Sequence, residues 1–161
     1  MSSVTIRDAT LSDEAALARV DLATHTSAVS PAPPRVAGAV FFKADTDPAD
    51  ILVAEVDGTV CGWVSVAQAI PLPSHSHVLE INGLGVDPSM QGSGVGRLLV
   101  AAAIAEARRR GASKLTLRVL GTNPGARRLY ESCGFVVEGV LSGEFILDGH
   151  PVDDVLMALT L

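Results

Sequence analysis

The residues that most restrict how this chain can fold are Gln91, Gly92, Ser93, Gly94, Val95, Gly96 and Arg97. Three glycines at alternate positions separate a strand-like run at 78–86 from the helical apolar pattern that follows. Glycine has no Cβ, so such a loop reaches dihedrals closed to other residues and lets a ligand approach its amides. The first amides of a helix lack internal partners, and the helix dipole adds partial positive charge there. Strand, glycine-rich turn and helix N-terminus in that order predict a cradle for phosphate oxygens. A plain turn needs fewer glycines.

Spacing separates the phosphate loops. The nucleotide-triphosphate loop carries Lys and then Ser or Thr after its last glycine, whereas Gly96 precedes Arg97 and Leu98. The dinucleotide fingerprint is G-x-G-x-x-G with an acidic residue about twenty positions on. Here the next expected strand, 114–120, runs into Gly121, Thr122 and Asn123, with no carboxylate for a ribose. What is left is Gln91-x-x-Gly94-x-Gly96, which resembles the acetyl-CoA loop of the GCN5-related N-acetyltransferases. Asn123-x-x-Ala126-x-x-x-Tyr130-x-x-x-Gly134-Phe135 resembles that family's segment on the far side of the cofactor, and Leu84-x-Val86-x-Pro88 its strand end before the loop. The resemblance runs over 78–135 and is topological elsewhere.

That resemblance implies an α/β fold. A single N-acetyltransferase domain over 1–161 would hold a central twisted mixed sheet, flanked by helices and splayed between the Leu84 and Leu117 strands. It implies acetyl-CoA as acyl donor, contacted by Leu84, Gly85, Val86, residues 91–97 and Asn123. One departure is Ser93, where many relatives carry a cation; phosphate is then left to amides, the helix end and Arg97.

Acyl transfer to an amine needs a neutral amine, a stabilised oxyanion and a proton for the leaving thiolate. Amines of the lysine type are protonated at neutral pH, with pKa about 10. Glu80 matches the position of a general-base glutamate in part of the family, and a carboxyl near apolar walls has a raised pKa that suits this work. Its other reading is a strand glutamate paired with a base. Tyr130 resembles the residue that donates to the leaving sulfur; otherwise it is a core aromatic. An amide at Val86 or Leu84 would polarise the thioester carbonyl. Asn123 serves either the pantetheine arm or a helix cap. Cys133 beside Gly134 and Phe135 reads as packing, with no histidine near it in sequence to activate it.

Composition narrows the rest. Hydrophobic residues make up 48% of 161, which excludes general disorder and supports one domain with a sizeable core. No apolar run approaches the ~18 residues of a membrane span, and Arg7 and Asp8 interrupt the N-terminus before a secretory core can form. Two cysteines, Cys61 and Cys133, make neither a disulfide framework nor a zinc spacing and suit a cytoplasmic protein. The net charge of −6 argues against a nucleic-acid partner. Residues 88–130 nevertheless hold eight basic side chains against Glu106, an island suited to an anionic cofactor. The acceptor stays open among small amines, amino acids, an antibiotic and a protein N-terminus, and so does homodimerisation. A non-catalytic acyl-CoA sensor on the same fold is the alternative.

In chain order, strands are expected at 4–7, 51–56, 59–69, 78–86 and 114–120, with two more after Phe135. Asp57-Gly58 and Asp148-Gly149 mark hairpins. Thr10 and Asp13 open a first helix, and a short helix anchored by Phe41 and Phe42 is expected at 35–43. Val95, Leu98, Leu99, Ala102 and Ala103 form the core stripe of the helix after the loop, stopped by Gly111. Asn123 and Pro124 open the next. Gly83 and Gly85 predict a bulge or a close backbone approach in the central strand. His75 and His77 lie in a loop without further metal ligands nearby.

Overall fold

The computed structural model describes residues 2–161. Its strands are β1 Val4–Asp8, β2 Ile51–Val56, β3 Thr59–Ala67, β4 Val78–Val86, β5 Lys114–Leu120, β6 Val136–Leu147 and β7 His150–Thr160. They form one sheet in the order β1-β2-β3-β4-β5-β7-β6. Every pairing is antiparallel except β4 with β5, which run parallel. That parallel contact covers only Val78–Ile81 against Lys114–Leu117. Beyond it the strands part, so a V-shaped gap opens at the C-terminal ends of two central strands.

Three α-helices cover the sheet: α1 Glu14–Thr24, α2 Val95–Arg109 and α3 Pro124–Ser132. Strand alternation divides the apolar residues between the two faces. Leu52, Ala54, Val64, Val66, Leu79, Ile81, Leu115 and Leu117 pack with the α2 residues Val95, Leu99, Val100 and Ala103. Ile51, Val53, Val60 and Trp63 face the other way and join Leu17 of α1 with Phe41 and Phe42. The α1 entrance is tied by Arg7, which donates to both oxygens of Asp13 at 2.9 Å, and by the Thr10 amide, which donates to Asp13 at 2.8 Å.

Several expectations need adjustment. No helix forms at 35–43; the segment is irregular, and the Glu14 carboxylate accepts from the Phe41 and Phe42 amides at 2.6 and 2.8 Å. A side chain of α1 thus satisfies amides that a helical turn would otherwise have used. Leu98 is 45% exposed and Val100 takes its place in the core, because α2 turns its Leu98 face towards open solvent beside the loop. β3 stops at Ala67 rather than 69. The bulge in β4 lies at Asn82: Val66 pairs with Ile81, but Ser65 pairs with Gly83. Gly83 and Gly85 serve a different need, since a Cβ on either would sit 2.6–2.7 Å from the Trp63 ring. The close approach is real, and an indole makes it.

Candidate active site

The loop after β4 behaves as a helix entrance with its donors left over. Asp87 accepts from the Ser89 amide and hydroxyl and pairs with Arg19 at 2.6 Å, anchoring the turn. Gln91 donates its side-chain amide to the Val86 carbonyl at 3.1 Å, so it ties loop to strand. Gly92 and Gly94 have φ of +80° and +91°, values that strain any L side chain, and open space surrounds both. Among the described residues, the amides of Gly92, Gly94, Val95, Gly96 and Arg97 meet no acceptor, whereas those of Gln91 and Ser93 close the turn onto Pro88 and Met90. The Ser93 hydroxyl also donates to the Met90 carbonyl. Five unpartnered amides at a helix start leave partial positive charge facing open space there.

A groove of about 570 Å³ leads from these amides along Leu84, Gly85 and Val86, with Asn123, Gly125, Ala126 and Leu129 of the α3 side opposite. It occupies the gap between β4 and β5. Asn123 caps α3 by accepting from the Ala126 amide at 3.3 Å, so capping is realised. Gly96 sits where a Cβ would meet Leu129 at 3.2 Å, bringing α2 and α3 close behind the groove.

The groove runs into a second cavity of about 330 Å³, lined by Glu80, Asn82, Trp63, Arg118, Tyr130 and the Asp21–Arg35 pair, among others. Glu80 and Tyr130, 50 positions apart, are brought to one chamber by opposite faces of the splay. Glu80 is half-buried, and burial pushes its carboxyl up; Arg118 and His75 oppose that shift and Asp154 adds to it. Tyr130 is 7% exposed, edge-on to Phe135 at 5.8 Å between ring centres. Burial pushes its hydroxyl up to about 12, so it stays protonated as a donor. The half-helix α3 and the turn at Gly134 hold it there, the Phe135 amide donating to the Tyr130 carbonyl at 3.1 Å.

The basic island is mostly neutralised in space. Arg109 and Arg110 pair with Glu106, Arg110 with Asp50, Lys114 with Glu138, Arg118 with Asp154, and Arg127 with Glu131. Arg97 lines the groove and donates to the Ser132 hydroxyl at 3.1 Å, leaving its charge uncompensated by a carboxylate. Asp50, Glu138 and Asp154 come from segments outside residues 88–130, so a count along that stretch overstated the field. Cys61 is buried, and burial pushes its thiol up; neither it nor Cys133 lines the two cavities. No cluster of three or more His, Cys, Asp or Glu fit for a metal occurs among the described residues, and no helix there is long and apolar enough to cross a membrane.

Trp63 and Arg118 were absent from the expected site. The signal for Arg118 was present: Thr116 and Arg118 put polar groups on one face of β5, opposite buried Leu115, Leu117 and Val119. Trp63 gave none, because its place against Gly83 and Gly85 depends on the β3–β4 register.

An open mixed sheet parted between two parallel strands, with a glycine-loop helix at the gap and a buried tyrosine across it, is the architecture of GCN5-related acyltransferases. The family model described as "Acetyltransferase (GNAT) family" matches residues 16–135, and the chain belongs to that family. Among sequence relatives, the mycothiol acetyltransferase of Thermobispora bispora is 42% identical over 92 residues, covering 55% of this chain and 30% of that protein. This chain thus matches under a third of the length of that relative. Among solved structures, yncA of Salmonella typhimurium, determined with its cofactor acetyl-CoA, superposes with a TM-score of 0.78 at 26% identity, covering 99% of this chain and 95% of that one. The smu.2055 protein of Streptococcus mutans UA159 superposes with a TM-score of 0.81 at 23% identity over 98% of both chains, a likeness of fold.

Proposed function

We propose that residues 1–161 act as one acetyl-CoA-dependent N-acetyltransferase domain that passes the acetyl group directly to a primary amine in a ternary complex. The observation that carries this reading is the continuity of five unpartnered loop amides, the splay groove and a chamber holding both a raised carboxyl and a protonated phenol. The amides of Gly92, Gly94, Val95, Gly96 and Arg97 bind the diphosphate, with Arg97 beside them. The pantetheine arm runs between the open edge of β4 and the Asn123 end of α3. An amide of Leu84 or Val86 faces the thioester oxygen, a contact worth ~3 kcal/mol in the transition state. Glu80, directly or through water, takes the ammonium proton, and Tyr130 protonates the departing thiolate. The family description and the acetyl-CoA bound to the Salmonella protein support the donor.

Calorimetric titration with acetyl-CoA, followed by thiol-release assays over an amine panel, tests the reading. Saturable binding with amine-dependent release is expected. Binding with no release from any amine would favour a non-catalytic sensor, and no binding at all would end both readings.

A further inference from the structure

The second cavity carries charges that the transfer chemistry does not use. Arg118 projects from the same face of β5 as Thr116, which pairs with Glu80 in the parallel register. Arg118 and Glu80 are therefore diagonal neighbours on one face, at the point where the strands part. Asp154 lies diagonally behind on β7, because Leu120 pairs with Asp154 and Arg118 with Leu156. The Arg118–Asp154 contact is 2.6 Å, with side-chain exposures of 50% and 3%. The Arg35–Asp21 pair, also lining the cavity, repeats the pattern at 30% and 16%. In the first pair the carboxylate is buried outside the lining while Arg118 faces the opening; in the second both partners line the cavity. A guanidinium has five N–H donors; Arg118 meets Asp154 as a charge contact without hydrogen-bond geometry, so its donors stay available at the opening.

We infer that the acceptor is an amine carrying a carboxylate or similar planar anionic group close to its nitrogen, and that Arg118, steadied by Asp154, binds that group while the nitrogen faces Glu80. This rests on the proposed acetyl transfer and names its substrate class. A simple polyamine or alkylamine offers nothing to the Arg118 guanidinium. An amino acid, or a compound ending in one, answers both Arg118 and Glu80. Asp154 acts as a positioning residue, holding the Arg118 charge at the opening through their 2.6 Å ion pair.

The test compares L-amino acids, each with its carboxamide and its decarboxylated amine, in thiol-release assays on the full chain. Free acids are expected to be used with kcat/KM tenfold or more above their amides, the range of one charge-assisted hydrogen-bonded contact. Arg118→Gln alone strands a buried carboxylate, so Arg118→Gln is combined with Asp154→Asn, which leaves no charge unpaired. In the double variant KM for the acid is expected to rise about tenfold or more, KM for the amide to stay within twofold, and acetyl-CoA affinity to hold. Amides or amines used as well as acids, or an equal loss on both in the variant, would overturn the inference. So would an enzyme that binds acetyl-CoA yet acetylates no acid. Failure to bind acetyl-CoA would instead remove the transfer reading beneath it.

Discussion

At Glu80 burial favours the base role proposed for it. Desolvation raises its pKa above the ordinary 4.5, so the carboxylate becomes a stronger base than an exposed one, at a cost to the folded state. The sign follows from linkage: a carboxyl whose folded pKa is raised binds its proton more tightly when folded, so stability falls as pH rises through that range. Glu80→Gln is therefore expected to melt at or above the parent temperature at pH 7, the gain vanishing below about pH 4. Turnover should fall by about 10²–10⁴ with acetyl-CoA affinity retained, and the acid limb of the pH–rate profile should disappear. Unchanged turnover in steady-state assays would return Glu80 to an ordinary strand residue. Asp13 has the opposite sign: its hydrogen bonds with Arg7 hold its carboxyl at about 2. Its contribution is present above the ordinary carboxylate pKa and is lost as pH falls towards 2, so the stability gap between wild type and Asp13→Asn should narrow with falling pH in unfolding curves.

At the scale of elements, β4 and the helix after it divide the work between a wall and a cradle. Trp63 of β3 lies across Gly83 and Gly85, and a Cβ at either would meet the ring at 2.6–2.7 Å. Gly85→Ala should therefore destabilise by about 1–3 kcal/mol in denaturant titrations. Trp63 is the single tryptophan, so its fluorescence reports the displacement directly. At the cradle, Gly94→Ala places a Cβ at φ +91° in open space, so strain acts without a clash. Acetyl-CoA affinity measured by calorimetry should drop about tenfold, about 1.4 kcal/mol, as the free amides turn away. The glycines of loop and strand look alike in sequence, yet one set is needed for dihedrals and the other for room. The helix expected at 35–43 failed for a comparable reason, because Glu14 on a distant helix satisfied the Phe41 and Phe42 amides.

For the whole molecule, the β1–β4 and β5–β7 halves of the sheet meet along four register pairs, Val78–Ile81 against Lys114–Leu117. A ligand lying in the splay joins them. Saturating acetyl-CoA at 100 times its Kd should stabilise the fold by about 2.7 kcal/mol. Hydrogen exchange should show the added protection at residues 82–86, 92–97 and α3, and little in β1 or β6. Uniform protection would argue against the splay as the binding place.

Much of the fold and the loop side of the candidate site could be read from residue order alone, because their physics is local. The strand–loop–helix unit rests on glycines, an uncapped helix start and apolar periodicity, all within twenty residues, and the hairpin turns at Asp57-Gly58 and Asp148-Gly149 rest on two residues each. The pairing of charges was decided only by tertiary structure. Arg118 reads as one of eight bases spread over residues 88–130 until β7 brings Asp154 beside it, and Trp63 reads as a core aromatic until the register lays it on two glycines. Local backbone preference acts over a few bonds, so it is written in sequence. Which carboxylate faces which guanidinium depends on strand order and register, and the chain sets these only when the whole sheet is assembled.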